Sequence, residues 1–336
     1  MIQVPSRYLP LIIFFALFVL GYAAGQTGIP VEDGGEFLTV ARLGGVNHPP
    51  GLPLVSLCSR VSWVLFGEQG LRVLFALFAA GTLFIVQRSK NISSLVFSAG
   101  LLLLAPLAGR LLIWDAYSPL ILVFALALVR RPTPDLEGGY LTGLALAIHP
   151  QGILLPVLFR WKNVSLPRFA AGLILGISLY LALPVGSGGG WLVDWGSADT
   201  AGEFMRMVTA GGYREVYGAS MGSLSIGTLL LYLRSIKEVL WPVLLVPVLL
   251  GSVWLFRRKR ELALKLLVLT AADLAFVIFV NPMAAGTTQT ATLTLFTIIV
   301  LASAGVALLW EYRPLLSILV SVMILVSGVL LREPLP

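Results

Sequence analysis

Apolar runs of about 18–20 residues recur from one end of the chain to the other, and the short segments between them hold most of the charges. An α-helix of this length matches the hydrocarbon thickness of a bilayer. The pattern predicts an all-α polytopic membrane protein, with residues 1–336 in one integral-membrane domain and no soluble C-terminal domain. The predicted spans are 9–25, 70–87, 92–109, 116–130, 167–185, 238–256, 263–281, 290–310 and 314–331.

Two shorter apolar segments, 139–149 and 150–160, meet at His149-Pro150. Because proline disfavours helix at the residue before it, this pair predicts a tight hairpin of two short helices and brings the count to about eleven. Broken helices in membranes usually line a cavity, where water or protein satisfies their free backbone groups. His149 is therefore a candidate cavity residue, and a satisfied core histidine is the alternative.

Composition agrees with the membrane assignment. The chain is 58% hydrophobic and 12% charged, with a mean hydropathy of +0.94, whereas ordinary globular chains carry about 25% charged residues. The net charge of +7 needs no nucleic acid partner, because basic residues collect in cytoplasmic segments of membrane proteins. A single cysteine excludes an intrachain disulfide and a cysteine metal cluster.

The charges also predict an orientation. With the N-terminus inside, the inner segments hold 14 of the 23 basic residues and 4 of the 16 acidic residues, as the positive-inside rule requires. The same rule places 51–66 as a helix lying in or dipping into the outer interface. Three outer regions result: a first outer loop at 26–69, a turn around 110–117 and a second large outer loop at 186–237.

Three acids, Glu32, Asp33 and Glu36, open the first outer loop. If a helix begins at Glu36, Asp33 caps it and the two carboxylates face the same way. Such a pair suits a general base with a substrate or metal clamp, and a plain helix cap is the alternative. His48 stands nearby, before a Pro-Pro-Gly entry into the next helix.

Other polar residues give weaker signals. Asp115 lies between Trp114 and Tyr117, which suits a sugar pocket or, equally, an aromatic belt with a capping acid. Asp273 lies in mid-span, where interhelix hydrogen bonding is the alternative to a functional acid. Three outer arginines, Arg110, Arg206 and Arg214, suit a phosphate group or are simple surface charges. The sequence has no nucleotide-binding, serine-elbow or zinc motif.

Taken in order, these segments resemble the GT-C superfamily of membrane glycosyltransferases, and within it the plexin-type protein O-mannosyltransferase family with its bacterial relatives. The resemblance covers roughly residues 10–220, and Gly34 replaces the family's usual small hydroxyl residue. The matching segments are Asp33-Gly34-Gly35-Glu36-Phe37, His48-Pro49-Pro50-Gly51-Leu52-Pro53-Leu54, Asp115-Ala116-Tyr117-Ser118, Gly143-Leu144 through His149, and Asp194-Trp195-Gly196 with Phe204, Val208-Thr209 and Tyr213-Arg214.

The resemblance implies a GT-C fold and an inverting transfer of a sugar, plausibly mannose, from a polyprenyl-phosphate donor. The acceptor is a hydroxyl of a protein, glycan or lipid at the outer face of a bacterial or archaeal cytoplasmic membrane. Asp33 is the implied general base, and Glu36 supports it. The implied donor- and acceptor-binding residues are His48, Asp115, Tyr117, His149, Trp195, Arg206, Tyr213 and Arg214.

Relatives in the superfamily differ in metal use, so the resemblance leaves a divalent cation open without predicting one, and no other cofactor is expected. Two other functions fit the same spans. A transporter or flippase of lipid-linked sugars would account for Asp273 and the hairpin, although two related halves are not evident. A non-catalytic membrane accessory protein is the third hypothesis.

Overall fold

The structure is a computed structural model, and every description below applies to residues 8–25, 33–87, 91–104, 107–108, 111–191, 193–217, 226–240, 243–281 and 291–330. These residues form an all-α protein without a β-strand. In chain order the helices are α1 Leu9–Ala24, α2 Asp33–Leu43, α3 Pro53–Val86, α4 Ile92–Leu103, α5 Tyr117–Arg130, α6 Leu136–Ile148, a 3-10 helix Pro150–Leu158, α7 Leu166–Ile177, a 3-10 helix Ser178–Leu181, α8 Ala182–Ser187, α9 Ala201–Val208, α10 Gly211–Tyr217, α11 Ile226–Leu240, α12 Leu245–Arg258, α13 Arg260–Phe279, α14 Thr292–Tyr312 and α15 Pro314–Leu330.

Within these ranges, four helical segments are long and apolar enough to cross a membrane: α3, the run Leu166–Ser187, α13 and α14. The bent pair α11 and α12 adds a fifth if it counts as one span. The apolar character of the predicted membrane protein is therefore confirmed, but the predicted count of about eleven is not reproduced. The helices α1, α4, α5, α6 and α15 have 12 to 17 residues, which at about 1.5 Å per residue falls short of a 30 Å hydrocarbon layer.

The predicted interfacial helix 51–66 and the predicted span 70–87 are joined in α3. Gly67 interrupts the helical geometry between them with φ 60° and ψ −146°. Before this break, Val64, Leu65 and Phe66 are between 63% and 69% exposed, which leaves an apolar surface suited to lipid. The break agrees with two separate segments, although they belong to one helical run.

The predicted hairpin at His149 is confirmed. Helix α6 ends at Ile148, His149 has an extended backbone, and the following 3-10 helix returns along α6. The backbone N–H of Arg160 donates to Pro132 O at 2.9 Å, which closes the hairpin near the start of α6. Glycines hold α6 against α7, since a Cβ on Gly143 would lie 2.7 Å from the Cα of Gly176.

Several residues of the predicted inner segments also meet. Lys265 Nζ lies 2.7 Å from Glu261 Oε1 and donates to the carbonyl of Phe159 at 2.6 Å. Arg131 and Lys162 act electrostatically on the same Glu261. Residues far apart in sequence therefore form one basic end of the helix assembly, away from the hairpin tip at His149.

Candidate functional site: a histidine and two carboxylates where the outer loops meet

The two predicted outer loops contact each other through their backbones. Val46 N donates to Val193 O at 3.0 Å, and Trp195 N donates to Val46 O at 3.4 Å, so that Val46 and Asp194 form an isolated parallel bridge. Gly45 permits this approach with φ +113°, because a Cβ there would lie 1.9 Å from Val193 O. The indole of Trp195 is 50% exposed, so this predicted binding residue contributes a backbone contact to the junction.

Beside this junction, His48 lies between the two carboxylates of α2. Its Nδ1 lies 2.9 Å from Glu36 Oε2, its backbone N–H donates to Glu36 Oε1, and its Nε2 lies 3.9 Å from Asp33 Oδ2. Asp33 and Glu36 are three residues apart on one helix and face the same way, as predicted. The helix begins at Asp33, however, so Asp33 lies in its first turn and does not cap a helix that starts at Glu36.

The two carboxylates differ in access. The side chain of Asp33 is 35% exposed, whereas those of Glu36 and His48 are 17% and 15% exposed. A carboxylate only accepts hydrogen bonds, so His48 Nδ1 carries the hydrogen toward Glu36 and Nε2 faces Asp33. Glu36 therefore orients the imidazole, and Asp33 is the more solvent-accessible of the two acids.

The charge state of His48 follows from this arrangement. Burial lowers the pKa of His48, but the hydrogen bond and negative charge of Glu36 and the negative charge of Asp33 together raise it above the ordinary value of 6.5. A protonated His48 places a positive charge beside both carboxylates. That charge can hold an anion or stabilise Asp33 in its ionised form.

Two aromatic rings lie beside His48, one from the predicted second outer loop and one from α2. The ring of Tyr213 in α10 lies 6.4 Å from the ring of His48, centroid to centroid, and Phe37 meets the same imidazole edge-on at 6.5 Å. Arg206 in α9 donates to Glu215 at 2.6 Å, an exposed ion pair that joins α9 to α10. Arg214 belongs to α10, and its side chain lies outside the described atoms, as do the predicted residues Glu32 and Arg110.

A second group forms around the hairpin tip. The Nε2 of His149 lies 3.4 Å from the hydroxyl of Tyr117, and the two rings are 5.0 Å apart. Asp115 is buried and accepts the backbone N–H of Tyr117, the first residue of α5, at 2.8 Å, while Ala116 occupies the N-cap position. His149 interacts electrostatically with His48, which links this group to the carboxylate cluster.

Sequence reasoning missed the partners of these residues. Glu215 holds Arg206, and Gln151 connects His149 to Asp273. A glutamine inside the apolar 150–160 segment is itself a signal, because a polar side chain in such a run requires a partner. Asp273 makes interhelix hydrogen bonds, as the structural alternative predicted.

Among the residues that the structure describes, no group of three or more His, Cys, Asp or Glu side chains is arranged to hold a metal ion. Asp33 and Glu36 lie at opposite nitrogens of His48. The divalent cation that the resemblance leaves open stays untested. Comparisons with protein-family models, curated proteins and solved structures gave no match.

Proposed function

We propose that this chain is a membrane glycosyltransferase of the GT-C type, which moves a sugar from a polyprenyl-phosphate donor to an acceptor hydroxyl. The observation that carries the proposal is the meeting of Asp33, Glu36 and His48 with Tyr213 of the other outer loop. It supports a composite site on residues that the sequence resemblance singles out. Mannose is the proposed sugar, and the outer face of the cytoplasmic membrane is the proposed location.

In the proposed reaction, Asp33 is the general base. Its carboxylate takes the proton of the acceptor hydroxyl as that oxygen attacks the anomeric carbon from the face opposite the phosphate. The new C–O bond forms, the bond from the anomeric carbon to the phosphate oxygen breaks, and the polyprenyl phosphate leaves with the bonding electrons. The configuration inverts, and no covalent enzyme intermediate is needed.

The remaining residues support this step electrostatically. Glu36 orients His48, and a protonated His48 keeps Asp33 charged in a half-buried site. Arg206 or Arg214 neutralises the leaving phosphate, which for Arg206 requires release from Glu215. Tyr117 and His149 line the sugar pocket, while Tyr213 offers a ring face and Asp115 holds the start of α5.

The test uses cell membranes that lack the endogenous gene and contain either wild-type protein or Asp33→Asn. Radiolabelled polyprenyl-phosphate mannose is added, and label is counted in the protein, glycan and lipid fractions. We expect Asp33→Asn to lower transfer at least about 100-fold, which is the usual contribution of a general base. Asp199→Asn is the matched control, because Asp199 is an exposed acid of the second outer loop, and it should retain transfer.

Two results would contradict the proposal in different ways. Transfer by Asp33→Asn within twofold of wild type would remove Asp33 as the base. Passage of the labelled lipid across sealed vesicles without any new glycosidic bond would replace the glycosyltransferase with a transporter of lipid-linked sugars. Other polyprenyl-phosphate sugars are assayed in parallel, so that a wrong choice of sugar is not mistaken for a wrong reaction.

A further inference from the structure

A buried carboxylate outside the site described above connects to it through one glutamine. Asp273, in the middle of α13, has no exposed surface. Its Oδ2 accepts the backbone N–H of Thr294 at 2.9 Å and the hydroxyl of Tyr232 at 3.2 Å, while its Oδ1 accepts Gln151 Nε2 at 2.9 Å. These donors offset the cost of burying the carboxylate.

Gln151 also contacts His149 through its backbone. Its N–H donates to His149 Nδ1 at 3.2 Å in the first turn of the 3-10 helix. A nitrogen that accepts a hydrogen bond has a lone pair, so the hydrogen of the imidazole is on Nε2 and the ring is neutral. Because the side chain of Gln151 is anchored to Asp273, α13 restrains the turn that presents this N–H.

The same helix touches the imidazole directly. Phe276, one turn after Asp273 on α13, has its ring centroid 6.2 Å from that of His149. On the other side, His149 Nε2 lies 3.4 Å from the Tyr117 hydroxyl. Since the imidazole donates in this pair, the phenol oxygen accepts and its own hydrogen points away from His149.

We propose that Asp273 and Gln151 are positioning residues, which fix His149 as its neutral Nε2–H tautomer and so keep an uncharged imidazole, hydrogen-bonded to Tyr117, beside the proposed sugar pocket. The identity of the ligand as a sugar rests on the proposed function. The tautomer and its dependence on Gln151 do not.

A neutral His149 fits its surroundings. His149 is within electrostatic range of His48, which is held between two carboxylates. A second positive imidazole would be repelled by a protonated His48, whereas a neutral one is not. Gln151 therefore keeps one of two neighbouring histidines in the uncharged form.

The experiment is nitrogen-15 NMR of the full-length chain in detergent micelles, labelled only at histidine. The chain contains two histidines, so a His48→Gln variant assigns both imidazoles. In the wild type we expect His149 to show a single Nε2–H tautomer. Gln151→Met removes the side-chain link and keeps the backbone N–H, and Asp273→Asn places a donor where the carboxylate accepts. Both are expected to give a mixture of tautomers.

Tyr232→Phe is the matched control, since it removes another hydrogen bond to Asp273 and leaves Gln151 in place. It should keep the wild-type tautomer. A wild-type spectrum in Gln151→Met would overturn the proposal. A Tyr232→Phe spectrum that changes as much as that of Gln151→Met would also overturn it, because both variants would then report a general loss of packing. Gln151→Met leaves Asp273 its hydrogen bonds from Thr294 and Tyr232, so the proposal stays testable if Asp273→Asn does not fold.

Activity gives an independent readout. If the proposed function holds, Gln151→Met should raise KM for the sugar donor about tenfold, the usual effect of losing one hydrogen bond, while Tyr232→Phe should not. The spectra need no substrate. A wild-type chain that transfers no sugar would refute the proposed function, and the positioning role of Gln151 would still be decided by the spectra.

Discussion

Replacing Glu36 by glutamine tests the charge state of the candidate site. The carboxylate accepts two hydrogen bonds from His48, one from the backbone N–H and one from Nδ1. Glutamine keeps a single acceptor oxygen, so its amide nitrogen must donate toward Nδ1 and exclude the hydrogen from that position. We expect the pKa of His48 to fall in this variant, because the hydrogen bond and the charge that raise it are both lost.

The cost to stability depends on pH. With its pKa raised on folding, His48 stabilises the folded state fully below its unfolded pKa of about 6.5, and this contribution is lost as pH rises through the folded value. Near pH 5.5 we expect Glu36→Gln to cost about 1.5–3 kcal/mol, which is typical of a hydrogen bond to a charged group. At a pH well above the folded pKa of His48, where the ring is neutral, we expect about 0.5–1.5 kcal/mol.

Denaturant unfolding in detergent micelles, followed by tryptophan fluorescence at both pH values, measures the two costs. Glu137→Gln serves as the control, because Glu137 pairs with Arg130 at 3.1 Å and both side chains are about half exposed or more. Such a surface pair is worth less than about 1 kcal/mol. An equal cost of Glu36→Gln at the two pH values would refute the reasoning, since the bond to Glu36 would then not depend on a protonated His48.

Two further predictions concern the contact between the two predicted outer loops and an arginine of the second one. Gly45→Ala should lower the free energy of unfolding by more than about 2 kcal/mol and abolish sugar transfer, because its Cβ would collide with Val193 O. Gly202→Ala is the control and should be neutral, since a Cβ there has nothing within 4 Å. Thermal unfolding and the transfer assay check both variants. Glu215→Gln should lower KM for the donor, because it releases Arg206, whereas Arg206→Met should raise KM. Initial rates measured against donor concentration test whether Arg206 binds the phosphate. Equal changes of KM in both variants would contradict that role.

Part of the site could be predicted because its information is local. The spacing of Asp33 and Glu36 places both acids on one helix face wherever the helix begins, and the three-residue error in its start did not matter. Pro150 likewise predicted the break at His149. The contact of Gln151 with Asp273 spans 122 residues, and no local periodicity encodes such a pairing.

The number of membrane spans could not be predicted for a related reason. Hydropathy measures how long an apolar run is, but not where the helix within it ends. In the predicted span 92–109, α4 runs from Ile92 to Leu103 and ends because Leu104 has an extended backbone, while Leu107 and Ala108 are helical again. The sequence places Pro106 between them, a residue that helix interiors disfavour. Irregular segments can be as apolar as helices when protein surrounds them, so a count of apolar runs overestimates the spans.

The two histidines of this chain experience opposite local influences. At His48 two carboxylates favour the protonated ring, and at His149 a backbone N–H aimed at Nδ1 requires the neutral ring. In the proposed reaction the developing charges lie on the base and on the leaving phosphate, so a cationic imidazole is useful beside Asp33. A sugar hydroxyl is uncharged, and a neutral His149 beside the proposed sugar pocket does not attract the phosphate away from the arginines. Under the proposed function, one cationic and one neutral imidazole suit a donor that carries a charged phosphate and a neutral sugar.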